Sequence, residues 1–141
     1  MPKPATAKGA RTRERLIEAS GAVFARKGCA ASGVADICSA AGLAVGGFYR
    51  YFASKEEIIK ALAGELRDEL VRAISALPSA GKPEKEALAV AGAFFSVVAD
   101  RVDAFKALRE AEAGDESLTR DFYGPLAGAI AGRLGAFTDG R

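Results

Sequence analysis

Residues 33–52, GVADICSAAGLAVGGFYRYF, followed at once by Ser54-Lys55-Glu56-Glu57, constrain the fold more tightly than any other stretch of this chain. Asp36, Ile37, Ala40 and Ala41 suit a short helix anchored by Ile37. Gly42 then supplies the positive-φ position that a sharp helix-to-helix turn requires. Beyond the turn, Leu43 and Phe48 are spaced to face back onto the first helix, which leaves Val45, Gly46, Tyr49 and Arg50 outward. Ser54 with Glu57 three residues on forms a capping box that starts a further helix. Two short helices, a tight turn and an aromatic-basic cluster are the layout of a helix-turn-helix, whose second helix enters the major groove of DNA.

The run ICSAAGLAVGGFYRYFASKEE resembles the DNA-binding domain of TetR-family (AcrR-like) transcriptional regulators. The resemblance is carried by Gly28, Val34, Ile37, Ala41, Gly42, Leu43, Gly46, Phe48, Tyr49, Phe52, Lys55 and Glu56, in order and at fixed spacing. It covers residues 10–70 well and the remainder by helical character. It implies an all-α protein: an N-terminal three-helix helix-turn-helix domain, a long connecting helix and a small helical bundle. The expected division is a flexible basic arm at 1–9, the DNA-binding domain at 10–70 with its helix-turn-helix at 33–52, and an effector-binding and dimerisation region at 71–141. Family members usually continue with two long dimerisation helices, and these are expected to be missing here.

Beyond the arm, the rest of the chain reads as a series of helices with no strand pattern. Over residues 11–27, Leu16, Ile17, Val23 and Phe24 recur at helical spacing, Arg26 and Lys27 suit the negative end of the dipole, and Gly28 suits the end. Behind Ser54 a helix runs to about Leu77 with Ile58, Leu62, Leu66 and Leu70 at four-residue steps, and Pro78 comes next. Pro83 opens the next helix. Leu88, Ala91, Phe95, Val98 and Val102 form one face, and Phe94, Val97 and Phe105 widen the apolar surface, so that the helix should be buried on several sides. A last helix from about Ser117 carries Phe122, Leu126, Ile130 and Leu134, with Gly124-Pro125 expected to kink it or mark its true start.

Charge is uneven although the net value is only +2. Residues 1–60 hold ten Lys/Arg against five Asp/Glu, whereas the rest is net acidic. A basic head on an acidic body suits a nucleic-acid partner for the head alone. Lys3, Lys8, Arg11, Arg13 and Arg15 would add phosphate contacts or a minor-groove arm, with a solubilising tail the alternative for Lys3 and Lys8. Cys29 and Cys38 are too few for a disulfide framework and read as buried structural thiols; with no histidine, no metal site is expected. No phosphate loop or nucleophile elbow is present, Glu110 and Glu112 read as solvated surface, and no catalytic residue or cofactor is assigned. No apolar stretch resembles a signal peptide or a bilayer span, so a cytoplasmic protein is expected.

DNA binding needs groups for phosphates and groups for base edges. For phosphates the candidates are Tyr49, Tyr51 and Lys55, with Ser32 and the backbone at Gly33, Val34 and Ala35; the resemblance implies backbone-holding roles for Tyr49 and Lys55. For base edges, Arg50 has the reach to pair with guanine, Val45 could pack on a thymine methyl, and Gly46 and Gly47 allow close backbone approach. In the body, Phe94, Phe95, Val98, Phe105, Phe122 and Tyr123 are candidates to line a pocket for a small apolar effector. The expected function is a ligand-responsive repressor whose paired heads, in a homodimer, bind a palindromic double-stranded DNA operator. The alternative is a helical ligand-sensing or interaction protein whose DNA binding is lost or non-specific.

Overall fold

The computed structural model describes residues 6–135 and Phe137. Among these the order is α1 (Ala7–Lys27), α2 (Val34–Ala41), α3 (Val45–Phe48), α4 (Lys55–Ser75), α5 (Pro83–Asp100), α6 (Val102–Glu112) and α7 (Glu116–Gly135), with no strand. The all-α expectation is met. Lys3 lies outside the described residues. The arm expected at 1–9 is already helical from Ala7, because Thr6 caps α1 by accepting the Gly9 N–H at 3.0 Å. Lys8 is therefore an exposed helical residue rather than part of a loose arm.

α4 is the axis of the molecule. Its four-residue apolar row, Ile58, Leu62, Leu66 and Leu70, continues to Ile74, all of them buried. That row lets α4 pack against α1, α5, α6 and α7. Each fully buried Leu or Ile contributes about 1.5–3 kcal/mol, so this one stripe supplies much of the driving force. Its start is defined as the sequence suggests: Ser54 accepts the Glu57 N–H at 3.2 Å, although the Glu57 carboxylate reaches one residue further back, to the Ala53 N–H at 3.0 Å.

α5 is not buried on several sides as expected. Glu86, Val90 and Val97 are its buried residues, whereas Leu88 and Phe95 are 73% and 67% exposed and Val102 is also outward. An apolar pattern running most of the way round a helix does not by itself select a face. Here a buried polar tie selects it. Arg133 of α7 pairs with Glu86 and donates to the carbonyls of Leu77 (2.6 Å) and Pro78 (2.9 Å), while the Ala80 N–H donates to Glu86 at 2.8 Å. The Ala80 amide, then Arg133, hold the Glu86 carboxyl below its ordinary range.

α7 is one helix through Gly124-Pro125, not a helix beginning there. Asp115 caps it, accepting the Leu118 N–H at 3.0 Å. Pro125 has no N–H to give to the Asp121 carbonyl one turn back, which would ordinarily interrupt the ladder. Arg67 of α4 takes that place, donating to the Asp121 oxygen at 3.2 Å.

Candidate nucleic-acid interface

The turn between α2 and α3 has the backbone its glycine implies. Gly42 sits at φ 70°, ψ 34°, the Leu43 N–H donates to the Cys38 carbonyl at 2.9 Å, and the Gly42 N–H donates to Ser39 at 3.3 Å. These contacts satisfy the last carbonyls of α2 and fold Leu43 back onto the core. Arg15 of α1 completes the end of α2 by donating to the Ala41 carbonyl at 2.6 Å. A cation at a helix C-terminus also opposes the dipole, so Arg15 braces the turn. Read from sequence alone, it is only positive charge for phosphate.

α3 is a single turn, one reason being that its N-cap, Ala44, offers no side-chain acceptor. The chain stays tightly wound beyond it, with the Tyr51 and Phe52 N–H groups both donating to the Phe48 carbonyl at 2.9 and 3.0 Å. Phe48 is fully buried and Phe52 nearly so, their ring centroids 5.7 Å apart. Those two rings fix the segment and leave the other side free: Val45 is 47% and Tyr49 56% exposed, and Arg50 is exposed. Gly46 is exposed and Gly47 half-buried, and a Cβ at either would meet nothing within 4 Å. Val45, Gly46, Gly47, Tyr49 and Arg50 thus belong to one outward segment. Ala35 is exposed at the start of α2; Val34 is half-buried against the core.

The remaining candidates are committed inside the protein. Ser32 is only 3% exposed and its hydroxyl donates to the Gly28 carbonyl at 2.5 Å, so that hydroxyl faces inward rather than toward a phosphate. The Gly33 N–H is taken by the Asp36 carboxylate at 2.9 Å, and Lys27 pairs with Asp36 at 3.0 Å. The Gly33 amide and then Lys27 hold the Asp36 carboxyl below its usual range. Tyr51 is half-buried against the core. Lys55 donates to the carbonyls of Cys29 (2.8 Å) and Ser32 (3.1 Å), leaving one of its three N–H bonds for anything outside. Arg13 lies over the Phe52 ring at 5.1 Å. For Ser32 and Lys55 the reason is the same: a head this small has loop carbonyls and helix ends to satisfy, and a nearby hydroxyl and cation satisfy them.

Both thiols are buried, as expected. Burial first, then the Glu110 charge, push Cys29 up to about 11, against Lys55, and burial raises Cys38 as well. Glu110 and Glu112 are not simply solvated: Glu110 accepts the Cys29 N–H at 2.7 Å, and the Glu112 side chain is only 9% exposed beside Arg109. Five of the six residues expected to line an effector pocket are rings that form two contact groups. Phe122 is buried in the core with Tyr123 edge-on to it at 4.9 Å; Phe94 meets Phe95 and Phe105 edge-on, with Phe95 facing out. Val98 is half-buried against the core, and the aromatic total in the sequence carries no information about which rings share a wall.

Comparison with known proteins agrees with this architecture. The sequence pattern described as "Bacterial regulatory proteins, tetR family" matches residues 16–62, from α1 into α4. The HTH-type transcriptional repressor KstR2 of Mycobacterium tuberculosis is 44% identical over 60 residues, covering 43% of this chain and 26% of that protein. The chain therefore spans about a quarter of that curated relative's length. In three dimensions, the TetR family transcriptional regulator PfmR from Thermus thermophilus superposes with a TM-score of 0.72 at 22% identity, over 89% of this chain and 69% of that one. A tetR-family regulator from Streptomyces coelicolor gives 0.70 at 23% identity, over 89% and 59%. Residues 16–62 thus carry the sequence pattern of the TetR family of bacterial regulatory proteins, and most of the described chain shares the fold of tetR-family regulators.

Proposed function

We propose that this protein is a DNA-binding transcriptional regulator, a cytoplasmic repressor whose residues 10–70 form the DNA-binding head and residues 71–141 the regulatory body. The observation that carries this is the outward segment formed by α3 and the two residues after it: one wound turn pinned from below by Phe48 and Phe52, with Val45, Gly46, Tyr49 and Arg50 exposed and Gly47 half-buried. Arg50 is the base reader, Val45 an apolar contact, Gly46 and Gly47 the close approach, and Tyr49 the phosphate contact, joined by the third N–H of Lys55. Two heads of a homodimer would meet successive major grooves, about 34–36 Å apart. A small effector acting on the body would release the DNA.

One observation favours a second reading, a helical sensing or interaction protein with lost or non-specific DNA binding. Ser32, Arg15 and Lys55, which could have held phosphates, instead satisfy the protein's own carbonyls. Selection from a random pool of 30-base-pair duplexes, followed by titration at several salt concentrations, separates the two. A specific regulator keeps one preferred duplex at physiological salt, typically about 10³-fold or more over random sequence. Sequence-blind binding that vanishes with salt supports the second reading. Sedimentation at micromolar concentration tests the pairing of heads, and a strict monomer, bound or free, sinks it.

A further inference from the structure

The loop between α1 and α2 is held from two sides by groups from different parts of the molecule. On the body side, Glu110 of α6 accepts the Cys29 N–H at 2.7 Å, and the Cys29 thiol donates to the Ala107 carbonyl at 3.5 Å. On the head side, Lys55 at the start of α4 takes the carbonyls of Cys29 and Ser32. One residue, Cys29, therefore has its N–H, its carbonyl and its thiol each assigned. Gly28 makes the approach possible: its φ is 85°, and a Cβ there would stand 3.0 Å from the Glu110 carboxylate.

This loop leads directly into α2 and, through it, into α3. Ser32, held by Lys55, directly precedes Gly33, the N-cap of α2, and α2 carries α3 through the Gly42 turn. The inner face of α6 is made by Ala104, Ala107 and Leu108, so the packing of α6 has no need of the Glu110 carboxylate. Its partner is a backbone amide 81 positions away, and a carboxylate bonded to an amide is among the stronger hydrogen bonds a protein makes. We propose that Glu110 is a positioning residue for DNA binding: through the Cys29 amide it sets the start of α2. The inference rests on the DNA-binding reading above.

The test uses the full chain and the duplex that the wild type selects from the random pool. Glu110→Ala removes the acceptor, Glu110→Gln keeps a neutral one, and Glu84→Gln, on an exposed residue of α5, matches the charge change elsewhere. Glu110→Ala should bind the selected duplex about tenfold more weakly, the scale of one lost hydrogen bond. Its salt dependence should be unchanged, because no phosphate contact is lost. Amide exchange at residues 29–37 should quicken, while Glu110→Gln and Glu84→Gln stay within about threefold of wild type in affinity. The proposal is overturned by a Glu110→Ala protein that binds as wild type does, whether or not it melts earlier, or by Glu110→Gln losing as much as Glu110→Ala. A wild type that selects no duplex removes instead the DNA-binding reading beneath it.

Discussion

Replacing Gly46 and Gly47 together by alanine should strengthen the protein and weaken its grip on DNA. Neither glycine has a positive φ, and a Cβ at either position meets no atom within 4 Å, so the fold does not require them. Glycine inside a helix costs roughly 0.5–1 kcal/mol relative to alanine. α3 is a single turn, so the lower end of that range applies, about 1 kcal/mol for the pair. In a chain of 141 residues that raises Tm by about 2–4 °C. If the bare backbone is what lies against the groove, two methyl groups hold the DNA away and the selected duplex should bind at least about tenfold more weakly, the scale of an overpacked contact. Thermal melting and duplex titration on one preparation read both effects. A Tm gain with unchanged affinity would refute the close-approach role; a Tm loss would refute the structural reasoning.

The other expectations are smaller in scope. Arg15→Ala should lower Tm by a few degrees, from about 1 kcal/mol lost at the end of α2, and leave the salt slope of DNA binding unchanged; a slope reduced by about one would make Arg15 a phosphate ligand instead. Arg50→Ala should change preference at one base pair by about 1–3 kcal/mol, seen by repeating the duplex selection, and uniform weakening would argue for a phosphate role. Arg67→Met leaves the Asp121 carbonyl without its donor beside Pro125, so it should cost about 1 kcal/mol in urea unfolding, and Pro125→Ala should recover it. Glu65 is raised to about 7 by burial and by its hydrogen bond and charge repulsion with Glu14, against Arg101 and Arg13. Its folded pKa lies above the unfolded one, so its contribution is full below about pH 4.5 and lost as pH rises through about 7. Melting at pH 5 and pH 8 should show wild type losing Tm with rising pH and Glu65→Gln losing less.

What the sequence disclosed and what it withheld divide along the range of the interactions. Gly42 demanded its turn, Ser54 its helix start and the Ile58–Leu62–Leu66–Leu70 row its buried face, because each is settled within a few residues by backbone sterics, capping or helical period. The outward face of α3 followed for the same reason: burying Phe48 and Phe52 leaves Tyr49 and Arg50 nowhere else to go. The inward face of α5 did not follow, since it depends on Arg133, 47 positions beyond Glu86, and nothing near Glu86 announces it. The role of Lys55 is hidden for the same reason. Its own helix start makes it look like an anion holder, whereas its ammonium is spent on carbonyls of a loop more than twenty residues earlier.

The same division bears on where control of the head resides. Local rules build the head, so residues 16–62 can be recognised alone and carry the family's pattern. The ties that orient it to the body are long-range: Glu110 to the Cys29 amide, and α4 packed between head and body. A contact that no local rule requires can be altered without unfolding either part. On the proposed DNA-binding reading, it is also the kind through which a change in the body would reach the DNA, since a ligand moves an equilibrium only where the two states differ in their contacts. The Cys29 loop, gripped by α6 on one side and α4 on the other, is where such a difference would register first in the head.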